Sequence, residues 1–259
     1  MSASDRIRAL LFPPKCSSCK TLLSWYEAGR SNGALCGACA EKWESAQREL
    51  CIFCGETVNR CACLTEELKH ARAEALYKAV YYVHGKRDPV QNRVIFQIKN
   101  TRSTRTVQWL ASLLCVHLER IRSERGDGAV LLTFVPRGKQ AKLDSGTDQA
   151  EAFARALSKL SGIPVRKVFQ RNPQAKRPQK TLSQTERIRV AKETFVLRPE
   201  MGKEVCGKTV VLVDDIVTTG ASMAACGRLL RGAGASFVCL SVAVSDVICD
   251  TGAFPPKKK

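Results

Sequence analysis

Eight of the thirteen cysteines fall before residue 64, in four close pairs: Cys16 and Cys19, Cys36 and Cys39, Cys51 and Cys54, Cys61 and Cys63. Pairs this tight place two sulfurs on one turn, at the separation a tetrahedral metal ion requires. A segment of some sixty residues has little apolar core of its own, so bound metal would supply much of its folding free energy. Disulfides are the competing use of such pairs, but they suit secreted proteins, and the apolar patch Ile7 to Phe12 is too short for a signal-peptide core. An iron–sulfur cluster is a further alternative. Zinc is the expected ion, held by Cys16, Cys19, Cys36, Cys39, Cys51, Cys54, Cys61 and Cys63. Spacing leaves open whether the pairs close locally or cross-brace, and so whether there is one ion or two. Four thiolates leave no position for water, so the role is structural. The other cysteines (Cys115, Cys206, Cys226, Cys239, Cys249) stand singly in apolar segments and read as small core residues.

The cysteines also mark a boundary. Residues 1–68 form a Cys-rich module and residues 69–259 a second domain, joined by the helix-forming stretch Leu64 to Leu76. From Tyr77 onward the pattern alternates. YKAVYYV, AVLLTFV, IPVRKVF, TVVLVDD and SFVCLSVAV read as strands. VQNRVIFQIKN, TVQWLASLLCVHLERI, DQAEAFARALSKL and SMAACGRLLRGAG read as helices. Strands separated by helices predict an α/β domain, a parallel sheet flanked by helices. No run approaches the ~20 apolar residues of a membrane span, which points to a cytoplasmic protein without membrane insertion.

GKEVCGKT, Gly202 to Thr209, satisfies the letters of a phosphate-binding P-loop but precedes a strand instead of following one. It reads as a turn into that strand. The stretch VVLVDDIVTTGAS, Val210 to Ser222, has the right order. A strand ends in Asp214 and Asp215, and Thr218, Thr219, Gly220, Ala221 and Ser222 lead into a helix. In an open parallel sheet, ligands collect beyond the C-terminal strand ends. Carboxylates accept hydrogen bonds from a sugar diol, while a small-residue loop at a helix N-terminus suits a phosphate. Together they describe a sugar phosphate.

This stretch resembles the phosphoribosyl pyrophosphate (PRPP) signature of type I phosphoribosyltransferases. The resemblance implies that Asp214 and Asp215 bind the ribose hydroxyls and act in catalysis, that Thr218 to Ser222 hold the 5′-phosphate, and that magnesium accompanies PRPP. The whole chain resembles the ComF (ComFC/GntX-like) competence proteins, which place a zinc module before a phosphoribosyltransferase domain. VIFQIKNTRS with Lys99 carries that likeness. So do FVPRGKQAKLDSGTDQA with Gly146, Asp148 and Gln149, and KRPQKTLSQTERIRVAKETF with Gln179, Leu182, Ser183 and Arg187. Many family members have an arginine just before that glycine, where this chain has Asp144 and Ser145.

Pyrophosphate is expected on the basic loop Arg137, Lys139 and Lys142, with the stretch Gln170 to Ser183 (Arg171, Lys176, Arg177, Lys180) closing as a lid. No aromatic-plus-polar hood announces a nucleobase. The formal net charge is +18, which fits a polyanionic partner. Nine Lys or Arg residues lie between Pro164 and Lys192 against the single acid Glu186. This concentration predicts single-stranded DNA binding through Lys176, Arg177 and Lys180. The family resemblance implies DNA uptake and other competence proteins as partners. The alternative is an active phosphoribosyltransferase that moves ribose 5-phosphate to an unidentified nitrogenous acceptor.

Overall fold

In the computed structural model, residues 13–29, 33–100, 103–126, 128–138, 148–174 and 193–246 are described. The chain forms a parallel α/β sheet flanked by helices, preceded by a small Cys-rich segment. Four parallel strands run in the order β1-β6-β5-β2: β1 Leu76–Tyr82, β2 Val130–Phe134, β5 Thr209–Val217 and β6 Ser236–Ser245. Their burial is nearly continuous, as expected for strands covered on both faces. Helices α4 (Val90–Asn100), α5 (Thr104–Arg125) and α6 (Gln149–Ser161) share one core with Val211 and Val213. Helix α8 (Ala221–Gly232) packs in the other core with Val210 and Leu212. A short antiparallel pair, β3 (Phe169–Arg171) and β4 (Phe195–Leu197), stands apart, and the single turn α7 (Met201–Val205) leads into β5.

Two expected elements are shorter than their sequences implied. The stretch Leu64 to Leu76 is helical only as α3, Glu66–His70. Arg72 takes φ 59° and reverses the chain, which frees Leu76 to begin β1, so tertiary placement overrides helix propensity. IPVRKVF pairs with β2 only through the bridge Val165 to Leu132 before it peels away into β3. Pro164 has no N–H to extend that ladder.

The Cys-rich segment contains two versions of one local device. Cys16 and Cys19 sit on a ribbon closed by the Lys15–Leu22 bridge, with Lys20 at φ 67°. Cys51 and Cys54 sit on a ribbon closed by Leu50–Thr57, with Gly55 at φ 73°. Cys36 stands at the N-cap position of α2 (Gly37–Gln47), following the short α1 (Trp25–Gly29). Cys61 and Cys63 lie on an irregular stretch between a turn and α3. The buried residues Leu35, Cys39 and Trp43 join the core of α4 and α5 rather than forming a separate one.

Candidate functional site

The acidic pair lies within β5, near its C-terminal end, between β6 and β2. Successive strand residues leave on opposite faces. Asp215 therefore goes to the side of α6, where its Oδ2 meets the Arg137 Nη2 at 3.4 Å. Asp214 goes to the side of α8, near the buried Cys226 and Cys239. The local backbone holds both carboxyls: Asp215 N–H donates to Asp214 Oδ1 at 2.9 Å, and Ile216 N–H donates to Asp215 Oδ1 at 2.9 Å. Burial, then the neighbouring Asp215 charge, push the Asp214 carboxyl well above the usual carboxylate range. A hydroxyl donor or a cation bound there would relieve that penalty.

The chain then turns into α8 through Thr218 and Thr219. Gly220 stands at the N-cap with φ 83°, a left-handed conformation that favours glycine. Thr218 and Ser222 are exposed, while Gly220 and Ala221 are buried. The Thr219 Oγ1 accepts from Ala221 N–H at 3.3 Å. The structure thus sets the loop at a helix N-terminus on the same end of the sheet as the acids, the setting expected for a phosphate.

The loop after β2 brings in Arg137. Asp148 caps α6 by accepting from Glu151 N–H at 3.4 Å, and its other oxygen accepts the Arg137 N–H at 3.3 Å. Buried Gln149 donates to the carbonyl of Lys99 at 3.2 Å. Asp148 thus holds the Arg137 backbone and Gln149 ties α6 to the end of α4, roles that letter matching did not specify. Arg171, grouped in sequence with the lid, packs its guanidinium 5.5 Å over the Phe195 ring and beside Gly138 of the Arg137 loop. Burial lowers its pKa. Arg166 and Lys167 are engaged by Glu204 (2.8 Å) and Glu151 (3.1 Å), which removes both from a free basic surface. Lys139, Lys142, Asp144, Ser145, Gly146, Lys176, Arg177, Gln179, Lys180, Leu182, Ser183 and Arg187 lie outside the described residues.

The P-loop-like string has no phosphate cradle. Gly207, Lys208 and Thr209 enter β5 at the end of the sheet opposite the acids, beside a cavity of about 400 Å³. Arg125 and Arg231 also line it, and both occupy the last turns of helices, where cations offset the carbonyl ends.

The cysteines gather into two sets, Cys16, Cys19, Cys36, Cys39 and Cys51, Cys54, Cys61, Cys63, with the sulfurs of each within 4.8 Å of one another. A zinc ion with bonds of about 2.3 Å asks for sulfurs roughly 3.8 Å apart, and Cys19 and Cys36 stand at 3.6 Å. The pairs therefore close locally, and each set could hold zinc. Cys115, Cys226 and Cys239 are buried as expected. Cys206 is exposed, which corrects its reading as a core residue. Among the described residues, no helix is long and apolar enough to cross a membrane.

Residues 144–252 match the family described as the phosphoribosyl transferase domain. Among solved structures, one adenine phosphoribosyltransferase is 20% identical, over 59% of this chain and 78% of that one, with a TM-score of 0.40. The Saccharomyces cerevisiae enzyme is 20% identical over 61% and 78%, with a TM-score of 0.37. The Leishmania tarentolae enzyme is 17% identical over 61% and 78%, with a TM-score of 0.36. No curated protein matches the sequence significantly. The family match covers the loop after β5 and the strands on either side of it, so this part of the chain is similar to a phosphoribosyl transferase domain.

Proposed function

We infer that the α/β domain binds PRPP beyond the C-terminal ends of β5 and β2. The observation that carries this reading is the acidic pair of β5, followed within five residues by the left-handed Gly220 cap of α8, inside the segment that matches the family. Asp214 and Asp215 accept the ribose hydroxyls, Thr218 to Ser222 hold the 5′-phosphate, and Arg137 and Lys139 serve as cations for the pyrophosphate. The hard oxygens of the acidic pair fit magnesium, which would supply charge neutralisation at the pyrophosphate. Arg137 orients Asp215 and brings a guanidinium, whose planar fork suits an anion, to this end of the sheet.

Two biological uses of this site are supported about equally. As a ComF-type protein, the chain would act in DNA uptake, binding single-stranded DNA and other competence proteins; the motif resemblance and the +18 charge support this use. As an enzyme, it would let a nitrogen nucleophile attack C1 while the C1–O bond breaks and its electron pair leaves with pyrophosphate. The site's ordered donors favour that charge separation.

Calorimetry with PRPP and magnesium tests the shared core of both. The Asp214→Asn, Asp215→Asn double variant should lose on the order of 2–4 kcal/mol of binding. Equal affinity in the two proteins would reject the site.

A further inference from the structure

The two cysteine sets are chemically alike but pack against different parts of the α/β domain, and the second runs directly into the segment that meets the proposed phosphate loop. Lys78, on β1, is buried, and its ammonium lies 3.2 Å from the Cys61 Sγ, with the Cys61 and Leu76 carbonyls at 3.4 Å. Among the described residues, none of its hydrogen-bond or ion-pair partners is a carboxylate. A buried ammonium needs a compensating negative charge, and a zinc ion with four thiolates carries two. The Tyr81 hydroxyl, from the same strand, hydrogen-bonds the Cys51 sulfur. A cavity of only about 20 Å³ remains where Cys51, Cys63, Thr65, Lys78 and Tyr81 converge. The second cysteine set is therefore seated on the sheet itself.

From Cys63 the chain reaches α3 within three residues. Thr65 caps that helix by accepting from Leu68 N–H at 3.4 Å, and Leu68 is fully buried. Both meet the phosphate loop from below. A Cβ placed on Gly220 would lie 2.5 Å from the Thr65 Oγ1 and 3.2 Å from the Leu68 Cγ. Leu68 shares its core with Val217, Ala221 and Ala224, the residues that flank the loop. Among the described residues, none around Cys16 or Cys39 belongs to that core.

We propose that metal held by Cys51, Cys54, Cys61 and Cys63, with Lys78 as its charge partner, braces the 218–222 loop through α3 and so sets its phosphate-binding geometry, whereas the first cysteine set does not. The consequence for phosphate rests on the PRPP reading; the brace itself does not. Without the metal, the thiols repel no charge and anchor none, Lys78 loses its counterion, and α3 is released from the side of the cysteines. Gly220 then loses the surface that fixes its left-handed turn.

Hydrogen exchange on the full chain tests the brace without any ligand. In Cys54→Ser, zinc content should fall by one ion per chain, and the amides of residues 218–224 should exchange at least tenfold faster. In Cys19→Ser, zinc should also fall by one ion while those amides stay within twofold of the parent protein. Should Cys54→Ser fail to fold, two variants with all cysteines intact decide the matter. Lys78→Met should release one of two zinc ions faster to a chromogenic chelator and quicken exchange in the loop. Leu68→Ala should keep both ions and still quicken it. A loop that exchanges alike in the two cysteine variants, or is unchanged by Leu68→Ala, would overturn the brace. Ribose 5-phosphate calorimetry on the same samples separates the two readings. If the parent protein does not bind ribose 5-phosphate, the PRPP assignment fails while the exchange contrast still judges the brace.

Discussion

The two cysteine sets begin from the same ribbon and end in different neighbourhoods. The first continues into α2 and docks on helices: Ser17 Oγ pairs with Thr106 Oγ1 at 2.8 Å, Arg93 donates to Ser18 Oγ at 2.9 Å, and Trp43 meets Trp109. Lys20, bent into a conformation unusual for a side-chain-bearing residue, reaches Gln97 on α4. The second uses Gly55 at the equivalent bend and turns its sulfurs toward β1. One set fastens the helical layer, and the other fastens the sheet edge and the loop beyond it. Identical metal chemistry thus acquires different consequences from the surface against which it is placed.

The largest test of this comparison is removal of both ions. Sequence alone predicts a module that unfolds by itself and leaves the rest intact. The shared core of Trp43 with α4 and α5 instead predicts that chelation drops the melting temperature of the whole chain by more than about 20 °C in a single calorimetric transition. Two separate transitions would restore an independent module. Next in size is Trp43→Ala, which should cost about 3–5 kcal/mol in denaturant unfolding. It should leave exchange in the 218–224 loop unchanged in the native state, because its contacts lie on the helical side.

A pH experiment probes the second set from α5. His117 is buried and stacked on Tyr77 at 4.3 Å, and burial pulls its pKa down to about 4. The folded state holds it neutral while the unfolded state protonates near 6.5. Stability is therefore complete above that value and is lost as pH falls from about 6.5 toward 4. The loss is at most about 3 kcal/mol, and His117→Gln should flatten the profile in that window. His117 also bonds the backbone at Asn59, between Cys54 and Cys61, so the acid limb should be accompanied by faster exchange there. The smallest effect belongs to Ser17→Ala. Thr106 keeps Ser103 Oγ at 2.8 Å, so the loss should be about 1 kcal/mol by thermal melting.

Much of this molecule was legible before its structure. Cysteine spacing foretold that the members of each close pair would be neighbours, because short gaps act locally, but left open how the pairs combine into the two sets. Strand and helix alternation foretold the parallel sheet, because burial on both faces imposes long apolar runs. The order of strand, acids, small residues and helix placed Asp214, Asp215 and Gly220 together at one end of β5. What sequence could not show depends on contacts between distant segments. Nothing around Lys78 marks it as the neighbour of Cys61, seventeen residues earlier. The helix-rich letters of Leu64 to Leu76 gave no sign that Arg72 would reverse the chain. Asp148 entered the sequence reading only as part of a family-like motif, and it serves as a cap that also holds the Arg137 backbone. The opposite exits of the two aspartates follow from strand pleat, but only once β5 is known to continue through them to Val217.

The contact between Trp43 and Trp109 has an optical consequence. The chain has three tryptophans, and these two lie with ring centroids 4.9 Å apart and planes inclined by 58°. Neither indole N–H has a hydrogen-bond partner among the described residues, so both rings sit in an apolar environment. Rings this close and tilted couple their transitions, and separation would expose both to water. A red shift in emission with loss of near-ultraviolet circular dichroism would therefore report the first cysteine set leaving the helices. No external dye is needed to follow that seam in real time.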